Sequence, residues 1–240
     1  MWTATALASE LRPWRGPVWR VVEAQHRIST NRLARDAGEQ ERLEQLADAV
    51  KPPLPAGTHH LHYLLAAPFR YGHAVASRFR RAHERPGIFY ASEAEAAALA
   101  EAAYWRLRFF SRSPGFAPPT ATTEHTSFCV RVASDHALDL TQPPFAAEQA
   151  RWTDPDDYSA CQDLACAARQ AGGEIIRTVS VRDPENRCNI VVLDPAAFAE
   201  TGLSSVKTWH LRFEDGRLIA LAAFPGSGRL VFTAEAFGLA

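Results

Sequence analysis

The sequence predicts a single α+β domain spanning residues 1–240, with a mixed β-sheet as its core and helices on its flanks. Its 240 residues are enough for one domain to bury a large core. Its composition, 47% hydrophobic and 22% charged, is ordinary for a globular protein. Segments with the patterns of strands and of helices follow one another along the chain, and we find no internal repeat.

The N-terminal part predicts a strand and then a helix. Residues 17–24 contain two adjacent valines, which favour an extended backbone and put Arg20 in the middle of a strand. Residues 29–50 have an apolar stripe and charged residues on the other faces, which indicates an amphipathic helix. A Ser-Thr pair can cap its start, and the prolines of residues 51–57 end it.

Residues 61–67 are apolar and fit either a strand or a helix, because the length of the run does not separate the two. Pro68 biases the residue before it toward extended geometry. We therefore expect Arg70 to lie on a loop that enters a site.

The middle of the chain carries the densest set of candidate functional residues. Arg78 is followed by a short apolar run that reads as a strand ending at Tyr90. Residues 93–110 then predict an Ala-rich helix with Ser92 as its N-cap. Glu101 lies on this helix, eleven residues after the tyrosine, beside small side chains that would let a ligand approach closely.

The C-terminal half predicts a series of strands and two helices. Asp215 and Gly216 supply the positive φ of a tight turn, so the strands on either side form a hairpin. The predicted strands are 126–132, a short strand around 138–140 after a polar turn, 173–181, 188–193, 205–213, 217–223 and 228–233, and the predicted helices are 145–152 and 158–170.

Charge and hydropathy exclude some classes of partner. The net charge is −1 and the basic residues are dispersed, whereas a duplex-binding domain usually presents a basic face. No apolar run approaches the ~20 residues of a membrane span, and the N-terminal residues lack the apolar core of a secretory signal. We expect a cytoplasmic protein that binds neither nucleic acid directly nor a membrane.

Possible metal ligands occur in clusters, but their spacing fits no familiar site. Five of the nine histidines fall between His59 and His83 without a helical HxxxH pair. The four cysteines form no CxxC pair, and Asp154, Asp156 and Asp157 lack the ligand order of a calcium loop. We expect no metal.

Arginine, aromatic and carboxylate side chains can together bind a nucleotide diphosphate, stack on a flat base and stabilise positive charge on a ribose. A planar guanidinium binds phosphate through two hydrogen bonds. Arg20, Arg70 and Arg78 are therefore candidate phosphate ligands, although any one of them taken alone is more often a solvated charge.

Three further residues have a functional and a structural interpretation. Glu101 could stabilise a ribosyl cation, or it could pair with a nearby arginine at the surface. Tyr90 could stack on a base, or it could belong to the core with its hydroxyl satisfied. Ser159 begins a predicted helix, where its hydroxyl and the backbone donors could orient a ribose or an amide, or could only cap the helix.

These residues lie in segments that resemble the RES-domain proteins, the toxins of RES–Xre toxin–antitoxin modules. SRFR followed by GIFYASEAEAAALAEAAYWR matches the family's arginine segment, its strand ending in Tyr, and its helix with Glu eleven residues later. DDYSACQDLACAARQAG is similar to the Ser-bearing helix start, NIVVLDP to the Asn-apolar-Pro strand exit, and WRVV to the opening Arg strand.

The resemblance implies an α+β fold similar to that of ADP-ribosyltransferase toxins, NAD as the substrate, and a cognate Xre-type antitoxin as the protein partner. It implies catalytic roles for Glu101, Arg78 and Ser159. It further implies NAD binding by Arg78, Tyr90 and Ser159, together with Arg20 or Arg70.

The chain departs from the short members of the family by a helical insertion at about residues 26–57 and by Ser77-Arg78-Phe79 in place of Gly-Arg-Trp. Because of the insertion, Arg20 and Arg70 compete for the first phosphate position. The function implied is a toxin that cleaves the nicotinamide–ribose bond of NAD by hydrolysis or phosphorolysis. The alternatives are a mono-ADP-ribosyltransferase that modifies a protein, and a non-catalytic binding domain.

Overall fold

The eight strands in the part of the chain that the structure describes belong to one mixed sheet. The computed structural model describes residues 2–24, 33–112, 115 and 122–239. The order of the strands across the sheet is β1-β2-β5-β4-β3-β6-β7-β8. The strands are β1 (Arg12–Glu23), β2 (Phe89–Ser92), β3 (Thr123–Asp139), β4 (Ile175–Val179), β5 (Cys188–Val192), β6 (Ser204–Glu214), β7 (Arg217–Ala222) and β8 (Arg229–Thr233).

Helices flank this sheet, so the predicted α+β fold with a mixed sheet core is confirmed. Short 3₁₀ helices at Phe145–Glu148, Pro195–Ala197 and Glu235–Phe237 supplement them. The α-helices are α1 (Ala4–Ala8), α2 (Ala37–Ala49), α3 (Tyr63–Arg70), α4 (Glu95–Ser111), α5 (Gln149–Trp152) and α6 (Ser159–Gln170).

The strand β3 joins the two halves of the sheet. It pairs with β1 along one edge over most of its length. Along its other edge it pairs with β6 near its start and, in parallel, with β4 near its end. Because β1 also pairs with β2 at Trp19 and Ser92, the pairings of β1, β2, β5, β4 and β3 form a closed circuit. The hairpin of β6 and β7, followed by β8, extends from this circuit.

Three hydrophobic clusters hold the helices against the sheet. One lies under α3 and includes Phe69, Phe89 and Phe128, all at most 1% exposed. A second lies between α6 and the circuit around Leu138. The third packs α4 against the C-terminal strands through Leu99. Burial of aromatic and aliphatic side chains in these clusters is the main source of stability.

The strands predicted at both ends of the chain are confirmed. The first is longer than predicted, since pairing with β3 carries the extended backbone back to Arg12. The hairpin turn also forms as predicted, because Asp215 and Gly216 both have positive φ, 50° and 74°. The short helix at 145–152 forms as a 3₁₀ turn followed by α5.

Two predicted elements were wrong in their limits. Residues 126–139 lie in one continuous strand rather than two, because β1 pairs across Ser134 and the predicted polar turn is part of the β-ladder. The helix predicted at 29–50 begins only at Ala37, where Asp36 accepts hydrogen bonds from the amides of Gly38 and Glu39. The predicted cap at residues 29–30 falls outside the described residues.

The loop predicted around Arg70 is also wrong. Residues 63–70 form α3, with Pro68 inside the helix and Arg70 as its last residue. Burial of Leu65 and Phe69, at 0% and 1% exposure, outweighs the loss of one backbone donor at the proline.

The predicted N-cap of α4 is wrong as well. Ser92 is the last residue of β2, and its hydroxyl donates to Asn189 Oδ1 at 2.6 Å instead of capping the helix. Ala94 occupies the N-cap position without a side-chain hydrogen bond. The serine therefore belongs to the sheet, where it orients a neighbouring polar side chain.

The crossing of α3 and β2 requires a glycine. Gly87 lies where the chain enters β2, and its amide donates to the carbonyl of Phe69 at 3.1 Å. A Cβ at this position would overlap the carbonyl oxygen of Pro68 and lie 2.8 Å from that of Tyr71. Both atoms belong to the backbone, so they can move only if the helix end moves.

We therefore expect Gly87→Ala to lower the free energy of unfolding by about 1–3 kcal/mol, the usual cost of overpacking. Gly202→Ala is the matched control, because a Cβ there meets no atom within 4 Å, and we expect a change below about 0.5 kcal/mol. Urea denaturation measures both, and equal stabilities would contradict the close approach.

Candidate active site

A cavity of about 250 Å³ lies between the sheet and α4. Its floor is a row of residues that are neighbours in the strand register, one from each of β1, β2, β5 and β4. The residues of this floor row are Trp19, Ser92, Asn189 and Thr178. One face of α4 forms a wall with Ala98, Glu101, Ala102 and Trp105, spaced three and four residues apart as a helix requires.

Glu101 is held in the cavity by two hydrogen bonds to the same oxygen. Its Oε1 accepts from the Ser180 hydroxyl at 2.7 Å and from Asn189 Nδ2 at 2.5 Å. Its Oε2 makes no hydrogen bond to a described residue. One carboxylate oxygen thus fixes the side chain while the other stays available.

The groups that hold Glu101 are themselves fixed. Asn189 accepts the hydrogen bond from Ser92 described above. Ser180 is fully buried, and its Oγ accepts from the amides of Arg182 and Asp183 at 3.2 and 3.1 Å. The orientation of the carboxylate is therefore set by β2, β5 and the turn after β4 together.

Tyr90 presents its ring to the cavity and has its hydroxyl tied at the far end. The hydroxyl lies 2.9 Å from Ser77 Oγ and accepts from the amide of Phe79 at 3.1 Å. Burial raises the pKa of the phenol, and the hydrogen bonds from Ser77 and Phe79 oppose that rise only in part. The side chain is therefore a neutral, rigid ring at neutral pH.

Three arginines line the cavity, and none forms an ion pair with a described carboxylate. Arg20 donates to the Tyr90 carbonyl at 3.2 Å and lies 4.8 Å from the centre of the Phe89 ring. Burial lowers the pKa of Arg20 to about 10, so the group is still charged at neutral pH. Arg78 and Arg182 contact aromatic rings instead of acids.

Two residues that line the cavity each have a buried polar atom without a hydrogen-bond partner in the described part of the chain. The two atoms are the Nε of Arg20 and the Oγ1 of Thr178. Thr178 is only 2% exposed. A buried polar group without a hydrogen bond costs about 1–3 kcal/mol, and both of these residues line the cavity. A ligand with polar groups at those points would recover this cost.

The structure brings together four of the residues proposed from the sequence. Arg20, Arg78, Tyr90 and Glu101 all line the cavity. They come from β1, from the segment before β2, from β2 and from α4, so the sequence separation between the first and last exceeds 80 residues.

Two proposed residues lie elsewhere. Arg70 donates through its Nε to the carbonyl of Pro52 and is not among the residues that line the cavity. Ser159 is exposed at the start of α6, where its amide donates to Asp157 Oδ1 at 2.8 Å. Its neighbour Tyr158 lines the cavity instead. Ligand binding by Arg70 or Ser159 therefore remains only a prediction.

Sequence reasoning missed Asn189, Ser180 and Arg182. A usable signal existed for Asn189, since an amide at the head of an otherwise apolar strand must point at a polar partner. No local signal marks Ser180 or Arg182. Their importance depends on the contact between the turn after β4 and a helix about 80 residues earlier in the chain.

The described residues offer neither a group of metal ligands nor a membrane-spanning helix. In the ranges given above, no three or more His, Cys, Asp or Glu side chains are grouped to hold a metal ion. No helix in those ranges is long and apolar enough to cross a membrane.

Comparison with known proteins gives a family and a similar structure. The profile of the RES domain matches residues 54–214, which is more than half of the chain. No curated protein matches. The crystal structure of the M. tuberculosis MbcT–MbcA toxin–antitoxin complex contains a chain that is 13% identical, with a TM-score of 0.47, covering 97% of this chain and 94% of that one. The extent of the profile match shows that the chain belongs to the RES domain family.

Proposed function

We propose that this protein cleaves the nicotinamide–ribose bond of NAD. One observation carries the proposal: a carboxylate with one oxygen free of hydrogen bonds to described residues faces a cavity that three arginines also line, none of them ion-paired with a described carboxylate. NAD offers the matching chemistry, a pyrophosphate with two negative charges joined to a ribose whose bond to nicotinamide breaks with development of positive charge.

The charges of the cavity suit a dinucleotide. Among the residues that line the cavity, Arg20, Arg78 and Arg182 carry three positive charges and Glu101 carries one negative charge, a net charge of +2. Buried charges of one sign are costly until an opposite charge arrives. Arg20 and Arg78 are the proposed ligands of the pyrophosphate, through the bidentate geometry that guanidinium groups provide.

Glu101 is the proposed catalytic residue. Cleavage of a glycosidic bond passes through an oxocarbenium-like transition state, and the free Oε2 can stabilise that cation or accept the 2′-hydroxyl of the ribose. The two hydrogen bonds to Oε1 hold the carboxylate ready before the substrate arrives. Such preorganised electrostatic groups account for a large share of catalysis.

The nicotinamide is proposed to pack on Tyr90. The phenol is anchored by Ser77 and Phe79, so its ring is rigid. The unpartnered hydroxyl of Thr178 could bond the carboxamide or the ribose. Nicotinamide leaves as a neutral molecule, and water, phosphate or a protein side chain then forms the new bond to the ribose.

The biological role we propose is that of a toxin held in check by an antitoxin. Membership of the RES domain family supports this role. Loss of NAD would harm the cell that makes the protein, so a partner that covers the cavity would be needed. We propose an Xre-type antitoxin as this partner and the cytoplasm as the place of action.

Glu101→Gln should reduce NAD cleavage at least ~100-fold, the scale for loss of one preorganised electrostatic group. The amide oxygen can occupy the Oε1 position and keep both hydrogen bonds, so only the charge and the free acceptor are lost. Release of nicotinamide from NAD, followed by chromatography, measures the effect.

The control for this variant is Glu214→Gln, which removes a half-exposed carboxylate at the β6–β7 turn, away from the cavity. We expect unchanged activity there and unchanged melting temperatures in both variants. NAD cleavage at the wild-type rate by folded Glu101→Gln protein would refute the catalytic assignment.

Arg78→Gln should weaken NAD binding about 10-fold or more, since a hydrogen bond to a charged group contributes about 1.5–3 kcal/mol. Binding is best measured by calorimetry in the Glu101→Gln background, where the substrate stays intact. Arg70→Gln is the matched control and should leave the Kd within about twofold. A larger loss from Arg70→Gln than from Arg78→Gln would reverse the choice of phosphate ligand.

Mass spectrometry of the products identifies the group that accepts the ADP-ribosyl unit. Incubation of NAD with the protein, with and without inorganic phosphate, distinguishes ADP-ribose from its 1-phosphate. Labelled NAD added to a cell lysate tests for protein ADP-ribosylation, where a labelled protein band would identify a transferase.

A further inference from the structure

One wall of the cavity continues outward as an array in which arginines and aromatic rings alternate. Arg78 lies 5.8 Å from the Tyr158 ring centre, and the Tyr158 hydroxyl lies 3.4 Å from Arg182 Nη2. Arg182 in turn stacks on Tyr104, with 3.7 Å between its guanidinium carbon and the ring centre. We call the set of Arg78, Tyr158, Arg182, Tyr104, Trp105 and Arg108 the arginine–aromatic array.

The array ends on the exposed surface of α4. The Tyr104 and Trp105 ring centres are 5.4 Å apart at an interplanar angle of 75°. Arg108 lies 5.2 Å from the Trp105 ring centre. Trp105 is 46% exposed even though it also lines the cavity, so it stands at the mouth.

Within the described part of the chain, the arginines of the array are not used for ion pairing. Arg78, Arg182 and Arg108 form no ion pair with any carboxylate in the described ranges. Arg182 is only 8% exposed, and a buried guanidinium that lacks a carboxylate partner is costly. Arginines interleaved with aromatic rings are the arrangement that binds phosphates and stacks bases.

The size of the cavity requires part of a dinucleotide to lie outside it. A volume of about 250 Å³ falls below the roughly 300–1,000 Å³ of pockets that enclose drug-sized ligands, and a dinucleotide is larger than such ligands. With the nicotinamide riboside bound beside Tyr90 and Glu101, the adenylate half of the ligand must extend out of the cavity through its mouth.

We propose that the arginine–aromatic array binds the adenylate half of NAD, with Arg182 on its phosphate and the indole of Trp105 packed against the purine. This inference rests on the proposed NAD cleavage and adds the residues that select a dinucleotide over a mononucleotide. Trp105 would then act through binding and not in the bond-breaking step.

The test compares ADP, which carries the adenylate half and the second phosphate but no nicotinamide riboside, with nicotinamide mononucleotide, which lacks the adenylate half. Trp105→Leu should raise the Kd for ADP about 10-fold, the scale of one lost base–aromatic stack. It should raise the KM for NAD by a similar factor and leave cleavage of the mononucleotide within about twofold. Titration calorimetry and nicotinamide release measure these quantities.

Phe109→Leu is the matched control, because Phe109 is 58% exposed one helical turn further along α4 and does not line the cavity. It should change none of the three values. Melting temperatures of both variants establish that they fold.

Several outcomes decide between the explanations. Wild-type affinity for ADP in Trp105→Leu, or no ADP binding by the wild type, overturns the array as an adenylate site. A loss of ADP affinity in Trp19→Leu but not in Trp105→Leu also overturns it, since the adenylate would then lie on the β1 side. If ADP binding depends on Trp105 while neither NAD nor the mononucleotide is cleaved, the adenylate site stands and the proposed cleavage fails.

Discussion

The register of four neighbouring strands is the constraint on which the cavity depends. Trp19, Ser92, Asn189 and Thr178 stand opposite one another across β1, β2, β5 and β4. Side chains alternate between the two faces of a sheet, so a slip of one residue in any of these strands would send its member to the opposite face. The hydrophobic cluster on that opposite face, which contains Phe89 and Ile190, makes such a slip costly. The packing of the core therefore fixes the polar floor of the site.

The positive charge in the cavity conflicts with stability. The guanidinium groups of Arg20 and Arg182 are buried without an acidic partner among the described residues, and aromatic rings and carbonyl groups compensate their charges only partly. A domain selected for stability alone would pair or replace such groups. Sites that bind anions keep this cost because the ligand removes it, and for this reason unpaired buried arginines point to a site.

Sequence reasoning reached the parts of the site that depend on local order. Tyr90 and Glu101 belong to one strand–helix unit, and helix periodicity alone puts the glutamate on the face that the small alanines leave open. Arg20 and Arg78 also line the cavity, as predicted. The sequence could not distinguish them from Arg70, because Arg70 ends a helix whose formation depends on the burial of Phe69. Ser92 was misread because a serine before a helix fits a cap and a strand end equally well. Asn189 and Arg182 gain their roles through contacts over long sequence separations, which no local pattern encodes.

The turn between β4 and β5 supports the glutamate from outside the cavity. The Asp183 side chain is 1% exposed and accepts hydrogen bonds from Nε and Nη2 of Arg187. The amide of Asp183 donates to Ser180 Oγ, the same hydroxyl that donates to Glu101. Damage to this turn would misalign the carboxylate while the three hydrophobic clusters stay intact. Substitutions in this turn can therefore displace the carboxylate of Glu101 without unfolding the domain, so the shape of the cavity is more vulnerable than the fold itself.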